Sequence, residues 1–291
     1  VSAAYLYASL TVLFWSTAAT AFKIALRDLS AVQLLLVANV TSLLVFVALL
    51  VVRGRFSELG RTNLAGLALS ALQGLLNPFG YYLILFKAYG LLPAQVAQPA
   101  NFVWPIVLML LSVPLLKQPI KVTGVLALLI SFTGVVVLAS QGSPGRFTIV
   151  EPLGLALALL SSVVWALFWI LNLRDKRDSM VRLLLSSLFS AFYILVVAWA
   201  TGDLPSLSSK CPVAAVYVGL FEMGITYALW LKALELSEST GKIGNFVYLT
   251  PFLSLVFIHF VLGERLYYTS VMGLCLIVGG IFVGRTGSRP R

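Results

Sequence analysis

The sequence predicts an all-α integral membrane protein of ten spanning helices, arranged as two inverted five-helix repeats. Three observations predict it: a composition too apolar for water, long apolar runs parted by short polar breaks, and self-similarity between the two halves of the chain. Of 291 residues, 60% are hydrophobic and 10% charged. Soluble domains run near ~45–50% apolar and ~25% charged. So much apolar surface excludes both a disordered chain and a soluble enzyme. A spanning helix takes about 20 apolar residues at helical rise, so ten spans with short connections use the whole length.

The spans follow in order. The first, about 3–26, runs into Lys23 and Arg27-Asp28 without a small-residue cleavage site, so it reads as a span and not as a signal peptide. The second, 31–52, ends at the basic stretch Arg53 to Arg61, and the third, 63–88, carries Asn77-Pro78. The fourth, 92–115, holds Pro93, Pro99 and Pro105 and stops at Lys117-Gln-Pro-Ile-Lys121. The fifth, 121–139, ends before Gly142-Ser-Pro-Gly145. The sixth, 152–172, contains Trp165 and Trp169 and meets Arg174-Asp-Lys-Arg-Asp178. The seventh, 181–201, stops at Gly202-Asp-Leu-Pro205, and the eighth, 212–235, bears Glu222. The ninth, 240–262, holds Pro251 and His259, and the tenth, 267–285, is glycine-rich from Gly273 to Gly280. Open strands would strand unpaired backbone groups in hydrocarbon, so these runs are helical.

The formal net charge of +10 points either to an acidic partner or to orientation. With the N-terminus in the cytoplasm, Lys23, Arg27, Lys87, Arg146, Lys210 and Arg265 fall outside and the other fourteen of the 20 basic residues inside. The positive-inside rule then places both termini in the cytoplasm and absorbs most of the charge without a nucleic-acid partner. Cys211 and Cys275 have neither metal-site nor disulfide spacing.

Residues 105–134 and 251–280 align without a gap at an offset of 146, pairing Pro105 with Pro251, Leu116 with Leu262, Thr123 with Thr269 and Gly134 with Gly280. Gln118 stands opposite Glu264. Phe86-Lys87-Ala88 answers Leu231-Lys232-Ala233, and Asn101-Phe-Val103 answers Asn245-Phe-Val247. At an offset of 150, Trp15 matches Trp165 and Arg27-Asp28 matches Arg177-Asp178. The expected units are 1–140 and 152–291, joined by a linker at 141–151. Five spans per unit is odd, so the second copy sits upside down, the arrangement in which carriers enclose a site near the midplane.

Glu222 lies mid-span, where a carboxylate must be protonated, paired or hydrated. Two functional readings stand, a proton site or a partner for a substrate ammonium, beside a neutral acid hydrogen-bonded to a neighbouring helix. His259, the single histidine, is read as deep in the ninth span, either a second candidate proton site or a neutral ring hydrogen-bonded to a carbonyl. Lys23, Lys87 and Lys232 lie near span ends, where long stems reach the interface; as repeat mates, Lys87 and Lys232 would also stand one at each mouth. Asn77-Pro78 and the prolines of the fourth span mark kinked helices, the best sequence pointer to a carrier's binding site, though a packing kink explains them too. The candidate substrate-binding set is Trp15, Asn77, Tyr81, Tyr82, Asn101, Trp104, Trp165, Trp169, Glu222, Asn245 and Tyr248. Its aromatic members suit stacking or cation–π contact; interfacial belts are the ordinary alternative for many of them, while Trp165, Trp104 and Tyr82 lie too deep for that. No metal or cofactor site and no nucleotide motif is legible.

Phe14-Trp15-Ser16, Trp165-Ala166, Leu262-Gly263-Glu264 and the glycine-rich close at Gly273–Gly280 make both halves resemble the EamA-type repeat of the drug/metabolite transporter superfamily. Within it, the size and the tryptophan- and tyrosine-rich spans resemble the YddG-type bacterial exporters of aromatic amino acids. The resemblance implies a secondary transporter in the bacterial inner membrane, exporting small metabolites such as amino acids by alternating access. It implies no enzyme and no cofactor, and its partners are a small-molecule substrate and the lipid bilayer. Carriage of phosphate esters or nucleotide sugars is the alternative within transport, and an intramembrane enzyme the alternative outside it. Monomer and homodimer both stay open. Gln118 departs from the pattern that Glu264 keeps.

Overall fold

A computed structural model describes residues 3–116, 122–142, 151–204, 212–237, 243 and 245–286. Lys117, Gln118, Lys121, Arg146, Lys210, Cys211, Lys242 and most of the expected linker lie outside the described residues. Among those described there is no strand. The helical segments are α1 (Ala3–Ala25), α2 (Ala31–Val52), α3 (Leu64–Leu91), α4 (Ala94–Leu115) and α5 (Val122–Ala139). They continue with α6 (Pro152–Arg174), α7 (Ser179–Thr201), α8 (Val213–Glu235), α9 (Asn245–Leu262) and α10 (Tyr268–Thr286). Among the described residues nine are long and apolar enough to cross a membrane, and the apolar stretch of α10, Tyr268–Gly284, is shorter. The chain is a multi-pass membrane protein. Its outer surface agrees with that: Phe132, Trp199 and Phe260 are 68%, 79% and 79% exposed, which lipid tolerates and water would not.

Local chemistry sets the helix ends. Ser30 and Gln33 form a reciprocal capping box at the start of α2. Asn63 caps Gly66 N–H below α3, and Asp178 accepts from the Met180 and Val181 amides at the start of α7. Gly202 and Gly263 close α7 and α9 in the left-handed conformation that a side chain would resist. Between α6 and α7, Asp175 accepts from Arg177 at 2.6 and 2.9 Å, and Arg177 also donates to the Gly66 carbonyl of α3 at 2.8 Å. Burial pushes the Asp175 carboxyl up, but the hydrogen bonds and charge of Arg177 outweigh it and hold the group below its ordinary value.

The packing has a pattern. Helix α1 lies against α8 and α9, and α6 lies against α3 and α4; α2 pairs with α7 and touches α8, while α7 touches α3; α5 pairs with α10. Exchanging the first five helices for the last five leaves these partnerships unchanged. The α5–α10 pair is the tightest. A Cβ on Gly134 would come within 2.7 Å of the Gly273 carbonyl, and one on Gly280 within 2.7 Å of the Ala127 carbonyl. Between them Ser131 Oγ donates to the Ile277 carbonyl at 3.3 Å. As the partner's number rises on one helix it falls on the other, so the helices run antiparallel. Small residues let backbones meet where lipid offers no hydrophobic drive, and polar bonds add about 0.6 kcal/mol each. Asn39 Nδ2 to Ser187 O at 3.0 Å and Asn101 Nδ2 to Ser161 Oγ at 2.8 Å tie α2 to α7 and α4 to α6 in this way.

Because Gly134 has no room for a side chain, Gly134→Val should destabilise the protein by about 1–3 kcal/mol. Gly279→Val, where nothing lies within 4 Å of the added Cβ, should leave stability near wild type. Thermal unfolding of both variants in the same detergent compares them.

Candidate functional site

Two helices pass through a π-turn in mid-span. In α3 the turn Leu75–Gly80 is a π-helix, with Asn77 extended at φ −149°, ψ 125° and Pro78 lacking an N–H. In α8 the turn Val218–Glu222 is a π-helix, and Gly224 follows at φ −109°, ψ −93°. Sequence fits each break: a residue before proline avoids the helical region, and a Cβ on Gly224 would come within 2.7 Å of the Gly219 carbonyl. Each break rests on a neighbouring backbone through one glycine. Gly74 abuts the Ser186 carbonyl of α7, and Gly219 abuts the Ala38 carbonyl of α2. At the offset of 145 that pairs Lys87 with Lys232, Gly74 falls on Gly219, Asn77 on Glu222 and Tyr82 on Tyr227.

The breaks flank a cavity of about 460 Å³. Of the residues expected from sequence, Trp15, Tyr81, Asn101, Trp104, Trp165, Trp169, Glu222 and Tyr248 line it. Asn77 and Tyr82 instead line a small neighbouring cavity with Ser186, Ser187 and Tyr227. Tyr82 still reaches the carboxylate, donating its hydroxyl to Glu222 Oε1 at 3.0 Å. Trp15 Nε1 donates to the Glu222 backbone carbonyl at 3.4 Å. Rings pack in sequence along one wall: Tyr81 to Trp165 at 4.6 Å, Trp165 to Tyr227 at 6.4 Å, Tyr227 to Trp15 at 6.0 Å and Trp15 to Trp230 at 5.7 Å between centroids. Tyr81 donates to Asn101 Oδ1 at 3.1 Å, which fixes the ring against the opposite helix.

Two expected residues lie elsewhere. Asn245 begins the 3-10 turn Asn245–Leu249 on an exposed face, because the regular part of α9 starts only at Thr250 and the turn rotates Tyr248 inward in its place. His259 is not deep in its span: it sits exposed in the last turn of α9, with Nδ1 3.0 Å from the Glu264 carbonyl. Neither borders the cavity. Sequence reasoning missed Tyr227, Trp230, Gln98 and Thr250, all of which line it. A signal existed for Tyr227, the repeat mate of Tyr82.

The cavity reaches Leu234 and Val247, beside the end of α8 and the start of α9. A polar network crosses the opposite end of the bundle. Lys23 Nζ donates to the Tyr89 and Leu92 carbonyls at 2.8 and 3.0 Å, capping the end of α3. The Glu264 carboxylate accepts from the Ala94 and Gln95 amides at 2.9 and 3.3 Å, capping the start of α4. Gln95 completes the connection, donating to the Arg265 carbonyl at 2.9 Å and accepting from Tyr267 N–H and Ser270 Oγ, both at 2.9 Å. Lys87 is exposed, and Lys232 pairs with Glu235 at 3.2 Å. No group of His, Cys, Asp and Glu among the described residues is placed to hold a metal ion.

Apolar spans around a mid-membrane cavity with an aromatic wall and one carboxylate define a membrane transporter as the class. The model of the EamA-like transporter family matches residues 2–140 and again 152–285, and the chain belongs to that family. It is 24% identical over 223 residues to the uncharacterized transporter YvbV of Bacillus subtilis (strain 168), covering 75% of this chain and 72% of that one. It is 25% identical over 284 residues to an uncharacterized transporter of Archaeoglobus fulgidus, covering 94% and 96%. A solved crystal structure shares the fold at a TM-score of 0.70 and 22% identity, over 99% of this chain and 97% of the other.

Loss of a helix cap costs about 1 kcal/mol, mostly felt locally. Glu264→Ala should therefore speed hydrogen exchange at the Ala94 and Gln95 amides while leaving the α5–α10 contact protected. Exchange mass spectrometry of both proteins in detergent reads this out.

Proposed function

We propose that the chain is a secondary transporter that exports small metabolites, amino acids including aromatic ones foremost, by alternating access. It is built as two inverted five-helix halves, residues 1–140 and 152–291 joined at 141–151, in the bacterial inner membrane with both termini in the cytoplasm. The observation that carries the substrate reading is the 460 Å³ cavity, whose aromatic wall meets a single carboxylate, Glu222. Its volume falls within the range of about 300–1,000 Å³ typical of small-molecule sites. Among the described residues no lysine, arginine or histidine lines it, which argues against phosphate esters and nucleotide sugars, whose charge needs basic partners.

The inverted repeat is supported by the exchangeable helix partnerships, the antiparallel contact of Gly134 with Gly273, and the family model's two matches. Symmetry of this kind gives two nearly equivalent states, one with either end closed, that interconvert by rocking of the halves. The contacts of Lys23, Glu264 and Gln95 hold one end in the present state. Under the assigned orientation that end is the outer one, and the cavity reaches toward the cytoplasm. Trp15, Tyr81, Trp165, Trp169, Tyr227 and Tyr248 supply the wall for a substrate side chain; Asn101 and Trp104 border it from α4, on either side of its turn at Phe102-Val103. Glu222 binds either the substrate ammonium or a proton, so loading one displaces the other.

In proteoliposomes, labelled aromatic amino acids should move and sugar phosphates should not. Glu222→Gln should lower transport about tenfold or more, the factor expected for losing a charge-assisted bond, and should abolish its dependence on pH. Unchanged transport by the variant at every pH would remove the proton role, and movement of sugar phosphates alone would overturn the substrate class.

A further inference from the structure

The charge on the cavity wall is one-sided. Glu222, which lines the cavity, spends Oε1 on the Tyr82 hydroxyl, and among the described residues no other hydrogen bond or ion pair reaches the carboxylate, which leaves Oε2 uncommitted. Trp15, Trp165 and Tyr227, three rings from three helices, line the same cavity, with Tyr227 6.0 and 6.4 Å from the other two between centroids. This is the composition that holds an ammonium: one charge-assisted acceptor and aromatic faces for cation–π contact.

An amino acid brings a second charge of opposite sign, and among the described residues no cation lines the cavity to answer it; Gln98, Trp169 and Thr250 offer neutral donors only. Lys23, one residue beyond the lining residue Phe22, is committed to two carbonyls at the closed end. The amide of Asn101 is spent on Ser161, and the hydroxyl of Tyr81 is spent on Asn101. A substrate carboxylate would meet no opposite charge in a low-dielectric space that already holds a carboxylate of the same sign, which desolvation and repulsion both penalise.

Resting on the transporter reading above, we propose that the preferred ligand is an arylalkylamine without a carboxylate. Its ammonium binds Glu222 Oε2 and its ring lies between Trp15, Trp165 and Tyr227. The substrate class is then the amine that decarboxylation of an aromatic amino acid produces, and the parent amino acid is the weaker ligand.

The test is equilibrium binding of labelled tryptamine to the full chain in nanodiscs, competed by unlabelled tryptamine, tryptophan and indole-3-propionate. Tryptamine should compete at least about tenfold better than tryptophan, and indole-3-propionate, which keeps the carboxylate and lacks the amine, should not compete. Glu222→Gln should weaken tryptamine by a similar factor, and Glu222→Asp should keep part of the affinity. Tryptophan competing as well as tryptamine, competition by indole-3-propionate, or undiminished tryptamine binding by Glu222→Gln would each overturn the proposal. The competition series in the unaltered protein decides the point even where Glu222→Gln does not fold. If tryptophan binds equally well and is carried into liposomes, this proposal fails and the transporter reading stands; if neither ligand binds or moves, both fail.

Discussion

Hydrocarbon offers no hydrogen-bond partner to a backbone, and the arrangement of this protein depends on that constraint. A membrane helix can break only where protein or a wet cavity takes up the groups it frees. Both mid-span breaks, at Leu75–Gly80 and Val218–Glu222, obey it: each leans on another helix through a single glycine, and their free sides border the two cavities. π-turns of this kind recur at functional sites because they turn a side chain out of the helical register. Here the second one delivers Glu222 to the cavity.

The two halves share a frame and differ in polarity. The frame is kept by glycines at matched places, Gly74 with Gly219 and Gly134 with Gly280, where backbones approach too closely for a side chain. Polarity diverges at the positions that do chemistry. Where the first half has Asn77 the second has Glu222, and where the first has Gln118 the second has Glu264. The first difference puts one charge, and not two, at the centre. The second puts a carboxylate on the first turn of α4, where the amide dipoles favour it. An evenly duplicated protein would have two equal ends; these substitutions give it unequal ones.

Much of the fold was legible because apolar runs and charged breaks are one-dimensional signals. The span expected at 31–52 is α2 to the residue, and the others shift by a few residues where cap chemistry, such as Asp178 before α7, sets the boundary. The central aromatics and Glu222 were legible as residues out of place in lipid. What escaped depends on rotation about helix axes, which periodicity does not resolve in a helix apolar all round. Asn245 lies on the exposed side of a 3-10 turn while Tyr248 three residues on faces the cavity, and no hydropathy pattern separates them. His259 reads as deep in sequence, although a span ending at 262 already puts it in the last turn, which Gly263 closes. Tyr227 could have been found by carrying Tyr82 across the repeat.

Alternating access requires the end tied by Lys23, Gln95 and Glu264 to be a gate and not a permanent plug. Cysteines at Gln95 and Ser270, whose side chains meet at 2.9 Å, would staple the start of α4 to the start of α10 in a background without native cysteines. Complete oxidation of that pair should stop substrate exchange across proteoliposomes, and reduction should restore it. Exchange that continues undiminished through the fully cross-linked protein would contradict alternating access by this route.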